Sequence, residues 1–204
     1  MKKAVVSGAK SGIGKEITKR LLHLGYSVIG VSRTICKDDF DSPFFDALQA
    51  DLCDENKDKK IQVLASKFSN YGALKKFHGQ IVTVKLDKSN WLLLEMLRDQ
   101  DGEGRILVVD NGEEFFGVVG DKLMGFAKKN NWKAIILNGY VRDTDTTKDI
   151  EVGLLAIGTC PLRNFDITDS QRDIELNFGG VTFNTGDYIY VDYDGAIITK
   201  DNLL

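Results

Sequence analysis

The residues best suited to chemistry lie in two short runs, Gly120-Asp121-Lys122-Leu123 and Asn138-Gly139-Tyr140-Val141-Arg142-Asp143. The first reads as a glycine turn opening a helix, the second as the end of a strand. A helix N-terminus presents backbone N–H groups without helical partners and a partial positive charge, so it can hold a carboxylate. An arginine beside an aspartate at a strand end can hold a carbonyl and a divalent metal side by side. Those are the parts needed to stabilise the enolate of a small oxo acid. Taken singly, each has a plainer reading: Arg142-Asp143 as a surface ion pair, and Asp121 as a charge favoured at a helix start.

A second motif stands near the N-terminus, Ser7-Gly8-Ala9-Lys10-Ser11-Gly12-Ile13-Gly14. It resembles the glycine motif of the short-chain dehydrogenases, with serine where that family usually has threonine. Gly8 and Gly12 would let the backbone approach a pyrophosphate, and Gly14 would let the helix pack on its strand. Lys10 and Arg33 would favour NADP over NAD. The resemblance ends at about residue 35, or 55 if Asp51-Leu52 is the adenine-side aspartate. Tyr71-Gly72-Ala73-Leu74-Lys75 has the letters of that family's catalytic pair but comes too early and contains a glycine. A dinucleotide also needs two β-α-β halves meeting at a crevice, and the sequence offers one. The expectation is a vestigial appendage that binds no NADP.

The elements that must position these residues follow from apolar periodicity. Residues 3–7 and 27–32 read as strands around a helix carrying Ile13, Ile17, Leu21 and Leu24 and ending at Gly25, giving one β-α-β unit. Residues 34–48, with Pro43, several aspartates and three phenylalanines, read as a junction, and 54–60 as a solvated charge run. Beyond them, strands are expected at 80–86, where apolar and polar residues alternate as in a half-buried strand, and at 104–110, 134–140 and 152–158. Helices are expected at 91–98 and 123–130. Short strands joined by tight turns fill 181–199.

Bulk composition narrows the class. With 204 residues, the chain fits one domain plus an appendage, or two small domains. A hydrophobic content of 43% with 28% charge is that of a soluble globular protein. A net charge of −3 gives no electrostatic footprint for direct nucleic-acid binding. Cys36, Cys53 and Cys160 lack metal-ligand spacing, and with His23 and His78 the only histidines, a zinc site is not expected. Reduced thiols in a cytoplasmic protein are the simplest reading. Lys10 and Lys15 interrupt the early apolar run too soon for a signal peptide, and no stretch has the length of a membrane span.

From about residue 50 to 204 the chain resembles the family of the regulator of ribonuclease E activity (RraA-like), which includes divalent-metal aldolases acting on 4-hydroxy-4-methyl-2-oxoglutarate. Several motifs in order carry the resemblance: Asp51-Leu52-Cys53-Asp54, Phe68-Ser69-Asn70-Tyr71-Gly72, Gly79-Gln80-Ile81-Val82-Thr83-Val84-Lys85, and Val108-Val109-Asp110. After the Asp121 … Arg142-Asp143 set come Gly158-Thr159-Cys160-Pro161, Phe178-Gly179-Gly180-Val181-Thr182-Phe183 and Gly186-Asp187-Tyr188. The fold class this implies is α/β, a swivelling β/β/α sandwich, here preceded by a single Rossmann-type β-α-β unit. The implied division is 1–45 for the appendage and 46–204 for the RraA-like domain, assembled as a homotrimer with sites near subunit interfaces.

Carried over by resemblance, Gly120 and the backbone N–H groups of Lys122 and Leu123 bind the pyruvate carboxylate. Arg142 holds the carbonyl side, Asp143 binds Mg²⁺ or Mn²⁺, and Asp121 orients water on the metal. The implied activity is release of pyruvate from 4-hydroxy-2-oxo acids, with oxaloacetate decarboxylation as a side activity. The alternatives are a non-catalytic protein inhibitor of ribonuclease E and an NADP-binding dehydrogenase-like protein. Members that inhibit tend to lack the aspartate of the Arg-Asp pair, and Asp143 is present. Three departures bear on efficiency: Thr146 where an acidic residue is usual, the glycine-poor Asn111-Gly112-Glu113-Glu114, and Leu162-Arg163-Asn164.

Overall fold

The computed structural model describes residues 2–32, 35–49, 60–164, 166 and 168–204. The chain divides into two compact units, Met1–Lys59 and Lys60–Asn202.

In the first unit, β1 (Lys3–Ser7), α1 (Gly12–His23) and β2 (Ser27–Ser32) form the expected β-α-β, with the strands parallel from Lys3↔Ser27 to Ser7↔Val31. The junction expected at 34–48 is instead structured. A 3-10 turn, Lys37–Asp39, leads into β3 (Phe45–Gln49), which extends the sheet to the order β1-β2-β3. Two of the three phenylalanines there are core, while Phe44 is exposed. Phe40 and Phe45 are buried with ring centroids 4.5 Å apart. Gly30 makes room for them, since a Cβ at that position would stand 2.7 Å from the Phe45 ring. The expected boundary at residue 45/46 would therefore cut through β3. A second correction concerns α1. Most of its expected apolar stripe faces outward, with Ile13 81% and Leu24 58% exposed, while Leu21 of that stripe packs on the core beside Leu22, and Thr18 is buried.

The second unit is built around parallel strands β6 (Phe77–Lys85), β7 (Ile106–Asp110), β9 (Ala134–Val141) and β10 (Gly153–Thr159), neighbours in that order. Short β4 (Gln62–Val63) and β5 (Ser69–Asn70) lie at the ends of the sheet path, while β8 (Gly117–Val119) pairs beside β9 and β11 (Gln171–Arg172) beside β6. Helices α2 (Trp91–Asp99) and α3 (Asp121–Lys129) cover one face, burying Leu93, Met96, Leu97, Leu123, Met124 and Ala127 against strand residues such as Val82, Leu107 and Ile135. The opposite face carries Ile81, Ile106, Val108, Ala134 and Ile136. It packs on β12 (Leu176–Phe178), β13 (Val181–Phe183), β14 (Tyr188–Val191) and β15 (Ala196–Thr199). The layers are thus strand, strand and helix.

Strand β6 joins the strand layers. Its first residues pair antiparallel with β14 (Phe77↔Val191 to Gln80↔Tyr188), and its last pair parallel with β7 (Ile81↔Ile106 to Lys85↔Asp110). That changes the expectation of a half-buried alternating strand. Ile81, Val82, Thr83 and Val84 are all buried, because both faces of the sheet are covered there. Every strand of the parallel core ends on the same side, and the candidate residues sit at that side. Cys36 and Cys160 are free thiols, whereas Cys53 and the Asp51-Asp54 motif lie outside the described residues. No described helix is long and apolar enough to cross a membrane.

Candidate active site

The site forms where β8 and β9 end together. Gly117 pairs with Tyr140 and Val119 with Val141, and the Arg142 N–H donates to the Val119 carbonyl at 2.9 Å. The β9 chain then turns sharply. Asp143 is left-handed, at φ 55 and ψ 35, a region that suits aspartate better than most residues. Its carbonyl accepts from the N–H groups of Thr146 and Thr147 at 2.9 and 3.0 Å, starting the single turn α4 (Thr144–Thr147). Thr147 is buried and its hydroxyl donates to the Tyr71 carbonyl at 2.9 Å, fixing the turn from below.

On the β8 side, Gly120 precedes α3, and the first helical bond runs from Met124 N–H to the Gly120 carbonyl at 3.1 Å. The N–H groups of Asp121, Lys122 and Leu123 therefore point out of the helix end. Asp121 Oδ1 accepts from Lys122 N–H at 2.6 Å. Leu123 is buried and anchors the first turn, while Asp121 and Lys122 are exposed.

Two glycines bring the halves together. A Cβ at Gly117 would stand 2.9 Å from Arg142 Cδ, and one at Gly120 would stand 3.1 Å from Arg142 Cγ and collide with Asp143 Oδ2. The arginine stem therefore lies across both glycines, and the Asp143 carboxylate occupies the space a Gly120 side chain would take. Gly120 has φ −136, so it is there for room rather than for conformation. Arg142 Nη1 pairs with Asp143 Oδ2 at 2.7 Å, with the two side chains 24% and 33% exposed. A guanidinium has five N–H donors in a planar fork, and this pair leaves most of them for a ligand.

The donor chemistry fits one class of metal. Among the described residues no three His, Cys, Asp or Glu side chains gather as a cage. A magnesium-type ion keeps most of its water and uses one or two carboxylates. Asp143 could serve as such a carboxylate, with Asp121 at the same end of the sheet. His78 lies at the opposite end, near the start of β6, stacked on Tyr190 with centroids 5.6 Å apart. Asp145, next to Thr146, pairs with Lys148 at 2.5 Å on the exposed side of the turn.

One set of residues was quoted in the sequence motifs but given no role there. Asp110, at the end of β7, is buried. Its Oδ2 meets Lys85 Nζ at 2.5 Å, and its Oδ1 accepts from Asn138 Nδ2 and Gly112 N–H, both at 2.9 Å. Burial pushes the carboxyl up, but these three donors outweigh it and hold Asp110 below the usual carboxylate range. The available signal was Asp110-Asn111-Gly112 closing an apolar strand, a turn signature with a carboxylate at its head.

The glycine motif of the first unit has a different outcome. Gly8 and Gly12 have φ 68 and φ 56, and a Cβ at either would meet nothing within 4 Å, so they serve the turn itself. Gly14 lies in α1, its carbonyl accepting from Thr18 Oγ1 at 2.9 Å. Lys10, expected to favour a 2′-phosphate, is held by Asp39 at 2.6 and 2.7 Å. That hydrogen bond raises the Lys10 pKa and lowers that of Asp39. Arg33 lies outside the described residues.

Comparison with known proteins places this geometry. The family described as RraA-like, Aldolase/RraA, matches residues 49–198. A Bacillus cereus protein provisionally named 4-hydroxy-4-methyl-2-oxoglutarate aldolase is 42% identical, covering 75% of this chain and 96% of its own. A Laribacter hongkongensis protein of the same provisional name is 39% identical, covering 78% and 99%. Among solved structures, the Geobacillus kaustophilus HTA426 protein described as an S-adenosylmethionine:2-dimethylmenaquinone methyltransferase superposes with a TM-score of 0.71. It is 34% identical, covering 76% of this chain and 96% of that one. The RNA-processing inhibitor RraA from Thermus thermophilus gives a TM-score of 0.70 at 25% identity, covering 76% and 94%. The match begins at residue 49, so the first unit lies outside it up to that point.

Proposed function

The chain is a member of the RraA-like aldolase family, and on that premise we propose that it is a divalent-metal-dependent lyase releasing pyruvate from 4-hydroxy-2-oxo diacids, 4-hydroxy-4-methyl-2-oxoglutarate foremost. The observation that carries this reading is the packing of Arg142 and Asp143 over Gly117 and Gly120 at the start of α3. It sets a planar cation, a carboxylate and outward N–H groups around one small space.

In this reading the Leu123 N–H binds the substrate's C1 carboxylate, joined by the Lys122 N–H as the substrate displaces Asp121 Oδ1 from it, aided by the helix dipole. Arg142 donates to the C2 carbonyl oxygen, where negative charge gathers as the C3–C4 bond breaks. The 4-hydroxyl proton leaves to a water held by Asp121, C4 becomes the carbonyl of one pyruvate, and C3 takes a proton to complete the other. A magnesium or manganese ion held by Asp143 would supply Lewis-acid stabilisation of the same charge. Decarboxylation of oxaloacetate passes through the same enolate, so it belongs to the same site.

We also propose that the second unit assembles as a homotrimer that covers this end. Three large apolar side chains next to or bonded to the neighbourhood of β8 are exposed: Trp91 at 44%, Phe115 at 61% and Leu162 at 58%. Exposed apolar groups clustered at a site favour an interface there. The functional test is pyruvate release from 4-hydroxy-4-methyl-2-oxoglutarate and from oxaloacetate, in Mg²⁺ and in EDTA. Release that EDTA abolishes is expected. Equal release in EDTA, or none with either substrate, contradicts the reading.

A further inference from the structure

Asp110 and its partners sit on the sheet edge that carries the candidate site, yet no step above uses them. We propose that Lys85, Asp110 and Asn138 form a positioning device that holds the 110–117 loop, and through it Gly117 and Gly120, under Arg142 and Asp143. The proposal rests on the site reading above for its consequence, but its geometry stands on its own.

Two strand ends meet the interior of a third strand here, since Lys85 pairs with Asp110 in the β6–β7 register and Asp110 with Asn138 in the β7–β9 register. One carboxylate therefore ties all three. Its Oδ2 takes the Lys85 ammonium, and its Oδ1 takes both the Asn138 amide and the Gly112 N–H. The last bond shapes the loop. Gly112 and Glu113 both have positive φ, 64 and 61, and such a turn holds only while its ends are fixed.

The loop backbone then docks on β9. Asn111 N–H donates to the Asn138 carbonyl at 3.2 Å, and Asn111 Nδ2 donates to the Glu114 carbonyl at 3.2 Å. Phe116 N–H closes on the same Glu114 carbonyl at 2.9 Å. The next residue is Gly117, the first of the two glycines beneath the arginine. Arg142 directly follows β9, four positions beyond Asn138, roughly 13 Å at strand rise. The device thus acts through the loop, not by touching substrate.

A second observation sets this cluster apart from ordinary core. Asn111 and Asn138 are 2% and 5% exposed, and the Oδ1 atom of each is buried without a hydrogen-bond partner. A core selected for stability alone would place apolar side chains at such positions. Retaining two amides and a buried ion pair fits a requirement for fixed loop geometry.

The test is amide hydrogen exchange on the full chain, comparing wild type, Asp110→Asn, Lys85→Met and Glu113→Gln. Glu113 is in the same loop and pairs with Lys67 at 2.5 Å on the surface, so it controls for loop charge. Asp110→Asn should speed exchange at Gly117–Val119 and at the start of α3 about tenfold, with α2 unchanged. Lys85→Met, which leaves the Asn138 and Gly112 bonds in place, should do so several-fold, and Glu113→Gln not at all. If Asp110→Asn fails to fold, Lys85→Met decides. Unchanged exchange over 117–123 in the folded variants overturns the proposal, as does an equal rise in α2. These readouts need no turnover, so an inactive wild type would refute the lyase reading and leave this result standing. In an active enzyme, Asp110→Asn should lower kcat by more than it raises KM, while Glu113→Gln leaves both alone.

Discussion

Arg142 carries the account at the scale of single residues. Its stem is clamped over two glycines, and its head is paired on one side by Asp143. Lysine would keep the charge but not the fork, so Arg142→Lys is expected to lose about 10²–10³ in kcat/KM with an unchanged melting temperature. Steady-state kinetics beside a thermal melt checks this. Asp110 is the residue whose ionisation bears on stability. Its folded pKa lies below the unfolded value, so its contribution is present above the unfolded pKa, about 3.9, and fades as pH falls through the folded one. Asp110→Asn should therefore cost about 1–3 kcal/mol near neutral pH, with the gap to wild type narrowing below about pH 4. Urea titrations at pH 7 and pH 3.5 measure that gap. A gap that widens in acid would reverse the sign assigned here.

At the level of elements, the second unit was legible because its strands and helices have clean periods. The runs at 106–109 and 134–137 are continuously apolar, as buried parallel strands are, and the helices at 91–99 and 121–129 show one apolar face. What escaped had no local signal. Gly117–Val119 is too short for a period and is a strand only because β9 lies beside it. Phe45–Gln49 was obscured by the aspartates and proline before it, and the burial of Phe45 depends on Gly30, fifteen positions earlier in the chain. The chemistry was legible as Gly120, Asp121 and Arg142-Asp143, but the role of the glycines shows only in three dimensions. Gly120→Ala tests that role. The φ of −136 accepts alanine, whereas the methyl would strike the Asp143 carboxylate. Activity should fall at least about tenfold with the helix intact by circular dichroism, the scale of a small misplacement of catalytic groups. Full activity in Gly120→Ala would mean that Asp143 moves freely and is not held by this contact.

For the whole molecule, fold alone cannot choose a function. Proteins described as an aldolase, a methyltransferase and an RNA-processing inhibitor all resemble this chain. The choice rests on the Arg-Asp site. The first unit stands apart from that choice, and with Lys10 committed to Asp39 it is expected to bind no dinucleotide. Saturable micromolar binding of NADP by calorimetry, lost in Gly12→Asp, would contradict this. Residues 60–204 should form the proposed trimer by light scattering; a monomer, beside an oligomeric full chain, would assign assembly to the first unit. The central claim is that Asp143 anchors the metal at a lyase site, and one measurement reaches it directly: kcat/KM for pyruvate release from 4-hydroxy-4-methyl-2-oxoglutarate by wild type and Asp143→Asn across a Mg²⁺ titration. The account predicts saturable Mg²⁺ activation in wild type and a loss of at least about 10²-fold in the variant, at equal melting temperature. Wild-type activity and Mg²⁺ dependence in Asp143→Asn would contradict it.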